Sequence, residues 1–586
     1  MSTGLLILII LLALLLALCI ILYFYFIKKG AFFLVSVITI TVWFLNASLT
    51  VIFPYDYAIS KSWQDANNSN TSSPDYNETA VNITKHLLEE QQQVVYYIYT
   101  FIYWIIFILS WIILPVLKEY EHRGELTIRE RFYASIKSNI MFYVYVIIAV
   151  VVMFVVFFIF IFAGKIKFSS HFTGKNVYMT VIDCSNLYGL LFIIVLMGYS
   201  FVKGPKKIYG HYNIKKRIKY LEYSAERISS NLDMAKQNLK KQGLILMATL
   251  DNVKYNRDEY ENKDNSIIVY EKEMNAILKA LKHKNEYFVN IENVVNKEKE
   301  LKTKNDLVKL NTVIRFNQNC IVLFTCRLDE IYEEWYTLQS VVHLQNKTQR
   351  DDSLLSDFIP KNISKCKQVY YTSLRPILVI ILIILLVIAS SVVVLGECTI
   401  AFESINLFIP GLILNFIANE IWGYFILLPP ILFMFYCCSY GLFRLKIAKD
   451  FGIYGNKKTT SFSILFISKF FCTIGFALVV NFGVIIKFPN TVLDTNFGLN
   501  FSEDLPFKIV AKYLPLLIPV ICVIMMMNVY DKIVRCFGGK TFEGEEDVEG
   551  NETVEGKEKL MEMHKSKSGD VGIVNDVEEI EHNYIT

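Results

Sequence analysis

Two ionisable residues sit inside stretches that are otherwise apolar: Asp183 within about 178–201 and Lys469 within about 461–486. A charge at membrane depth is costly, so such residues mark either an ion or substrate path or a structural pair. Asp183 falls near the start of its stretch and Lys469 about one third of the way into its own. If the two helices touch, the groups can pair and compensate one another. Alternatively, Asp183 is wetted at the outer interface and Lys469 snorkels inward. Asn46, Asn186 and Asn481 also lie in apolar runs, where amides serve as hydrogen-bonding glue between helices. Pro429-Pro430, and Pro515 with Pro519, remove backbone donors and predict kinked or broken helices. Broken spans make midplane sites in transporters, although proline also occurs in spans that merely bend. The cysteines are dispersed, with no disulfide framework or metal spacing. Cys437-Cys438 and Cys536 fall near the inner ends of spans, as free thiols or as palmitoylation sites. The histidines form no ligand set, and no phosphate-cradling glycine loop or nucleophile–base pair is present. The expectation is a protein that is not an enzyme and needs no cofactor or metal.

The elements that carry these residues are set by hydropathy. Hydrophobic residues make up 54% of the 586 residues and the mean hydropathy is +0.38, far from an ordinary soluble chain. Apolar runs at about 4–27, 31–53, 94–117, 140–163, 178–201, 376–396, 421–443, 461–486 and 509–530 each suffice to cross the membrane. The first lacks a charged leader and a small-residue cleavage site, so it reads as an uncleaved anchor. Residues 404–419 are apolar but interrupted by Asn406, Pro410 and Asn415, which suits an interfacial or re-entrant piece. Thr127-Ile-Arg-Glu130 is a capping-box pattern that predicts a short helix in the loop 118–139.

Orientation follows from two signals. Loop 55–93 carries glycosylation acceptors at Asn67, Asn70, Asn77 and Asn82, and Asn500 lies in the loop before the last span. Such acceptors belong on the lumenal or extracellular side. Lys28 and Lys29, the cluster in 118–137, and Arg444, Lys446, Lys449, Lys457 and Lys458 then fall inside, as the positive-inside rule requires, although Lys165, Lys167 and Lys175 blur one outside loop. Nine crossings from an outside amino terminus place the carboxyl tail in the cytoplasm. The net charge of +4 is small and patchy, so nucleic acid is not a natural partner. The basic patch Lys203, Lys206, Lys207, Lys215, Lys216 and Arg217 directly follows a span and suits anionic lipid of the inner leaflet.

Between the fifth and sixth spans lies a polar insert, 202–375. Ile214, Ile218, Leu221, Ala225, Ile228, Leu232, Ala235 and Leu239 alternate in steps of four and three, the repeat of a coiled-coil seam. A second register, broken only by Asn317, runs from Leu307 through Leu310, Ile314, Ile321, Phe324, Leu328, Ile331, Trp335 and Leu338 to Val342, and a shorter one links Ile267, Tyr270, Met274, Ile277 and Leu281. Stripes of this kind need facing helices. The partner is either another part of the insert, folded back antiparallel, or a cytoplasmic protein or second copy making a homodimer. The tail, 531–586, becomes rich in Glu from about 541 and reads as disordered. The expected architecture is an all-α, polytopic membrane bundle, in blocks 1–201 and 376–530, with a cytoplasmic coiled-coil insert.

Tyr103-Trp104 through Trp111, Leu114-Pro115, Glu119-Tyr120, Gly124-Glu125, Thr127, Arg131, Ser135 and Asn139 resemble the limb region 1-like, or lipocalin-interacting, membrane receptor family. Gly198-Tyr199 with Pro205 resembles that family's exit from its fifth span, although Ser200, Lys206 and Tyr209 depart from its pattern. Ser463-Ile-Leu-Phe466, Cys472, Asn481-Phe482, Phe537-Gly-Gly and Glu555-Gly-Lys-Glu-Lys-Leu560 resemble the limb-region-1-domain-containing protein 2 branch. The resemblance implies nine spans and a cytoplasmic helical insert. It also implies a receptor, an escort in lysosomal vitamin B12 export, or a modulator of signalling by G-protein-coupled receptors. The first expectation is therefore a receptor or adaptor that recruits cytoplasmic partners, at the plasma membrane or an endolysosomal one. The second is a transporter or transport escort with a site near Asp183 and Lys469.

Overall fold

The computed structural model describes residues 3–27, 33–68, 78–162, 174–210, 212–255, 270–284, 301, 303–346, 374–400, 407–416, 420–444, 451–486, 491–497, 513–527 and 551–569. In chain order the helices are α1 (Thr3–Phe26), α2 (Phe33–Asn68), α3 (Glu78–Ile108), α4 (Leu114–His122), α5 (Ile128–Phe162) and α6 (Gly174–Gly210). Next come α7 (Ile214–Tyr255), α8 (Glu271–Lys284), α9 (Lys304–Asn346), α10 (Arg375–Cys398), α11 (Ile409–Phe416) and α12 (Glu420–Arg444). The last are α13 (Ser461–Phe471), α14 (Ile474–Ile486), α15 (Val492–Phe497), α16 (Leu517–Met526) and α17 (Asn551–Gly569). Seven helical stretches among the described residues are long and apolar enough to span a membrane. The chain divides into two units, an apolar one of 1–123, 127–205 and 385–530 and a polar one of 124–126, 206–384 and 531–586.

The apolar unit is layered around α2, which packs against α1, α3, α12, α13 and α14. Burial explains composition here. Of an apolar 18-residue window in the stretch formed by α13 and α14, 83% is buried, against 11% of the like windows in α1 and in α10. The two peripheral helices must therefore be apolar all round, whereas central ones can carry polar side chains that face protein. Trp43 donates to Ser468 Oγ at 3.2 Å, and the Tyr424 hydroxyl donates to the Val51 carbonyl at 3.0 Å, fastening α13 and α12 to α2. A left-handed turn at Asn456 and Lys457 returns the following strand-like segment to the end of α1, where Lys457 and Thr459 amides bond the Tyr25 and Phe26 carbonyls.

Several boundaries differ from those read in the sequence. Loop 55–93 is largely helical: α2 runs through Pro54 to Asn68 and α3 begins at Glu78. The capping box is present, with the Glu130 amide donating to Thr127 Oγ1 at 3.2 Å, but it opens the 35-residue α5 rather than a short separate helix. Pro429-Pro430 do not break α12, which continues to Arg444. The interruption falls instead between α13 and α14, where the amide and hydroxyl of Thr473 both turn back to the Phe470 carbonyl. Pro515 does begin a tightened turn, Leu514–Leu516, ahead of α16.

In the polar unit α7 and α9 run antiparallel. Arg217 meets Glu334 through two bonds of 2.8 and 2.7 Å, while Asn317 reaches Gln242 at 3.1 Å toward the other end. Ile218, Leu221, Ala225, Ile228, Leu232, Ala235 and Leu239 are all buried in this seam, as are Leu307, Leu310, Ile314, Leu328, Ile331, Trp335 and Leu338. At the far end of α9 the buried position is Val341, one residue before the Val342 that the repeat indicates. Met274 and Leu281 of α8 close the end of the layer against Leu246 and Leu250 of α7; Ile267 of the short register lies outside the described residues.

The tail requires a correction, because residues 551–569 are not disordered. They form α17, which lies across α7 and α9. Leu560 is fully buried between them, Lys559 pairs with Glu226 at 2.9 Å, and Lys567 pairs with Asp329 at 3.1 Å. His564 Nδ1 bonds the Tyr332 hydroxyl at 2.8 Å. Gly556 allows this approach, since a Cβ there would collide with the backbone of Glu222.

Candidate functional site

A cavity of about 330 Å³ lies within the apolar unit. Two local departures from regular helix and one close helix approach shape it. Between α3 and α4 the chain widens into a π-helical turn, Leu109–Ile113, in which the Leu114 amide bonds the Leu109 carbonyl. Such turns bulge one residue out of register and recur at functional sites. Opposite stands the break at Cys472–Thr473. On a third side α6 comes close through Gly189, where a Cβ would stand 2.8 Å from the Ala477 Cβ and 3.0 Å from the Thr473 carbonyl. The α5 wall is held by the Tyr143 hydroxyl, which donates to the Trp111 carbonyl, and by Asn139, whose amide returns to its own helix at the Ser135 carbonyl.

Lys469 is part of the lining. The charged groups that act on it are Lys118 and Glu119. Glu119 itself faces Arg123 at 3.8 Å, and no ion pair to Lys469 forms among the described residues. Asp183 lies on α6, but its side chain and that of Asn186 fall outside the described residues. Asn481 does bond between helices, donating to Glu397 Oε1 of α10 at 2.7 Å. Asn46 instead donates to Val42 of its own helix at 2.8 Å.

The remaining candidates are dispersed. Arg217 is held by Glu334 inside the polar unit, whereas Lys215 and Lys216 are exposed and Lys203, Lys206 and Lys207 are half-buried on α6. Asn67 is exposed at the end of α2; Asn70, Asn77 and Asn500 lie outside the described residues, as does the side chain of Asn82.

Two buried carboxylates escaped the sequence reading. Glu397 has no exposed surface, and its Oε2 has no hydrogen-bond partner. Asp56, equally buried, accepts the Val492 and Leu493 amides at 3.0 Å each and the Ser60 hydroxyl at 3.2 Å, joining α2 to the start of α15. Glu397 follows directly on the apolar run drawn to end at 396, and Asp56 comes three residues after the run drawn to end at 53, so each looked like part of a loop. An acidic residue within a turn of an apolar run was the available signal.

Comparison with known proteins supplies a lineage. The family model described as LMBR1-like membrane protein matches residues 2–530. The chain belongs to this family. It is an integral membrane protein, and the resemblance read from its motifs holds. A Dictyostelium discoideum relative named LMBR1 domain-containing protein 2 homolog A is 22% identical, over 77% of this chain and 60% of its own. A Caenorhabditis briggsae relative, G-protein coupled receptor-associated protein LMBRD2, is 20% identical over 88% and 80%. The Homo sapiens protein of that name is 21% identical over 76% and 65%. The chain thus spans less than two thirds of the Dictyostelium and human proteins. No solved structure matches this LMBR1-like chain.

Proposed function

We propose that this LMBR1-like protein is a non-enzymatic membrane adaptor that associates with a G-protein-coupled receptor and recruits cytoplasmic proteins through its polar unit. What carries the reading is the name, G-protein coupled receptor-associated protein, borne by relatives that match more than three quarters of the chain. The seam of α7 and α9 adds support, because it already accepts a helix, α17, over its Ile218–Leu232 and Leu328–Leu338 end. In this reading the amino terminus and the 67–82 acceptors face the lumen or exterior, the chain crosses nine times, and the polar unit and tail are cytoplasmic. The membrane is the plasma membrane or an endolysosomal one, where the protein also bears on receptor trafficking. Proximity labelling from the carboxyl terminus tests this, comparing intact protein with one lacking 214–342. A receptor and a defined set of partners should disappear from the labelled set on deletion; an unchanged set removes the adaptor reading. A transporter or escort role is the second reading, favoured by the Lys469 cavity. It requires that Asp183→Asn with Lys469→Met abolish flux in proteoliposomes, and unaltered flux would end it.

A further inference from the structure

We propose that the Lys469 cavity holds a phospholipid with an anionic headgroup, drawn laterally from the surrounding bilayer. The walls are apolar and aromatic, with Tyr103, Phe107, Phe470 and Phe476 from three of the surrounding segments. Such a lining suits acyl chain and leaves few groups to hold a polar solute. Its rim lies on the outer surface of the bundle, where Phe142 is 54% exposed, Tyr188 51% and Trp111 41%. Large apolar residues exposed there face the hydrocarbon, so the entrance opens to lipid rather than to water. This choice of entrance selects a bilayer component over a soluble anion.

The headgroup charge follows from Lys469. It sits roughly 12 Å along α13 from Ser461, at 1.5 Å per residue, and its long stem can carry the ammonium toward the headgroup level. Lys118, whose ammonium stands 5.5 Å from the Phe466 ring, adds positive charge beside it. Among the described residues the carboxylate acting on Lys469 is Glu119, which already faces Arg123. A cation placed this way at membrane depth needs a counter-ion, and a phosphodiester with a net negative headgroup supplies it without a protein carboxylate. The π-helical turn and the Cys472–Thr473 break account for the room: regular helices packed through Gly189 would close the space that these two interruptions open.

Trp111 provides the readout. The full-length protein is reconstituted in phosphatidylcholine vesicles containing a small fraction of brominated phosphatidylserine or brominated phosphatidylcholine. Trp111 emission is then taken as the difference between the wild-type chain and Trp111→Phe. Brominated phosphatidylserine should quench about fivefold more effectively than brominated phosphatidylcholine, the preference conferred by one basic residue at the headgroup level. Lys469→Met should lose that preference and Lys469→Arg should keep it. Equal quenching by the two lipids in the wild-type chain overturns the proposal, since it describes annular lipid only. So does a preference that survives Lys469→Met. A preference absent from wild type that appears in Asp183→Asn also overturns it, by showing that Asp183 neutralises Lys469. None of these outcomes depends on receptor association.

Discussion

The apolar and polar units bury ionisable groups in opposite ways. In the apolar unit Asp56 is held by backbone amides and Glu397 by an asparagine at one of its two oxygens; among the described residues neither meets a cation. In the polar unit the carboxylates meet Arg217, Lys559 and Lys567, and Glu222 accepts from the Trp335 indole at 3.1 Å. The difference follows from what lies outside each unit. A residue in a lipid-facing bundle has no water to fall back on, so close-range amide donors hold its carboxyl and mispaired charge is avoided. A helical layer in water gains little from an exposed ion pair, but pairs at set intervals specify which register the helices adopt.

If that distinction is right, the two units should break differently. The largest effect is expected from Trp335→Ala, which empties a fully buried position between α7 and α9 and leaves Glu222 without its donor. A loss of about 3–5 kcal/mol is expected from the cavity alone, read as a lower temperature at which the polar unit of the full-length protein becomes protease-sensitive. Leu560→Ala should cost about 2–3 kcal/mol and act locally, releasing α17 to protease while α7 and α9 stay protected. If all three helices become sensitive together, α17 is an integral part of the layer and not a docked addition. Asn481→Leu tests the apolar unit. It leaves Glu397 without its amide donor, at about 1 kcal/mol, lowering membrane yield and thermal stability in detergent. Glu397→Gln keeps a polar partner for Asn481 and should be nearly silent. A large loss from Glu397→Gln would show that the negative charge itself is needed there.

Legibility in the sequence followed the same division. The seams of α7 and α9 were readable residue by residue because a 3.5 period is local information. The exceptions are at Cys320, Leu323 and Val341, which are buried where the repeat indicates Ile321, Phe324 and Val342. The spans were readable as existing, but their ends were not. Pro54 and Asp56 looked like a stop, yet α2 continues past them, and the donors that hold the buried Asp56 carboxylate come from residues 492–493. The tail looked disordered by composition, but Gly556, Leu560 and Met563 form one stripe at helical spacing that finds its partner more than two hundred residues earlier. Within the candidate site, Lys469 was singled out by chemistry alone. The cavity beside it depends on a π-turn and a helix break that no local pattern announced.

The smallest effect is the one that most sharpens the comparison. Burial raises the pKa of Glu222 in spite of the opposing influences of the Trp335 indole, Lys557 and Lys219. Its folded-state pKa therefore lies above the unfolded one, and the folded protein binds that proton more tightly. The stability this contributes is fully present below the ordinary glutamate range and is lost as pH rises through the raised value. Glu222→Gln keeps an oxygen for the indole and removes the titration. The variant should be slightly more stable than wild type at neutral pH, with the gap closing as the pH falls toward the ordinary glutamate range. Protease-protection temperatures measured across that range would show it. A variant less stable than wild type at neutral pH would mean that the attraction of Lys557 and Lys219 for the carboxylate outweighs its burial. The polar unit would then use buried charge for stability as well as register, and the contrast with Asp56 and Glu397 would be wider still.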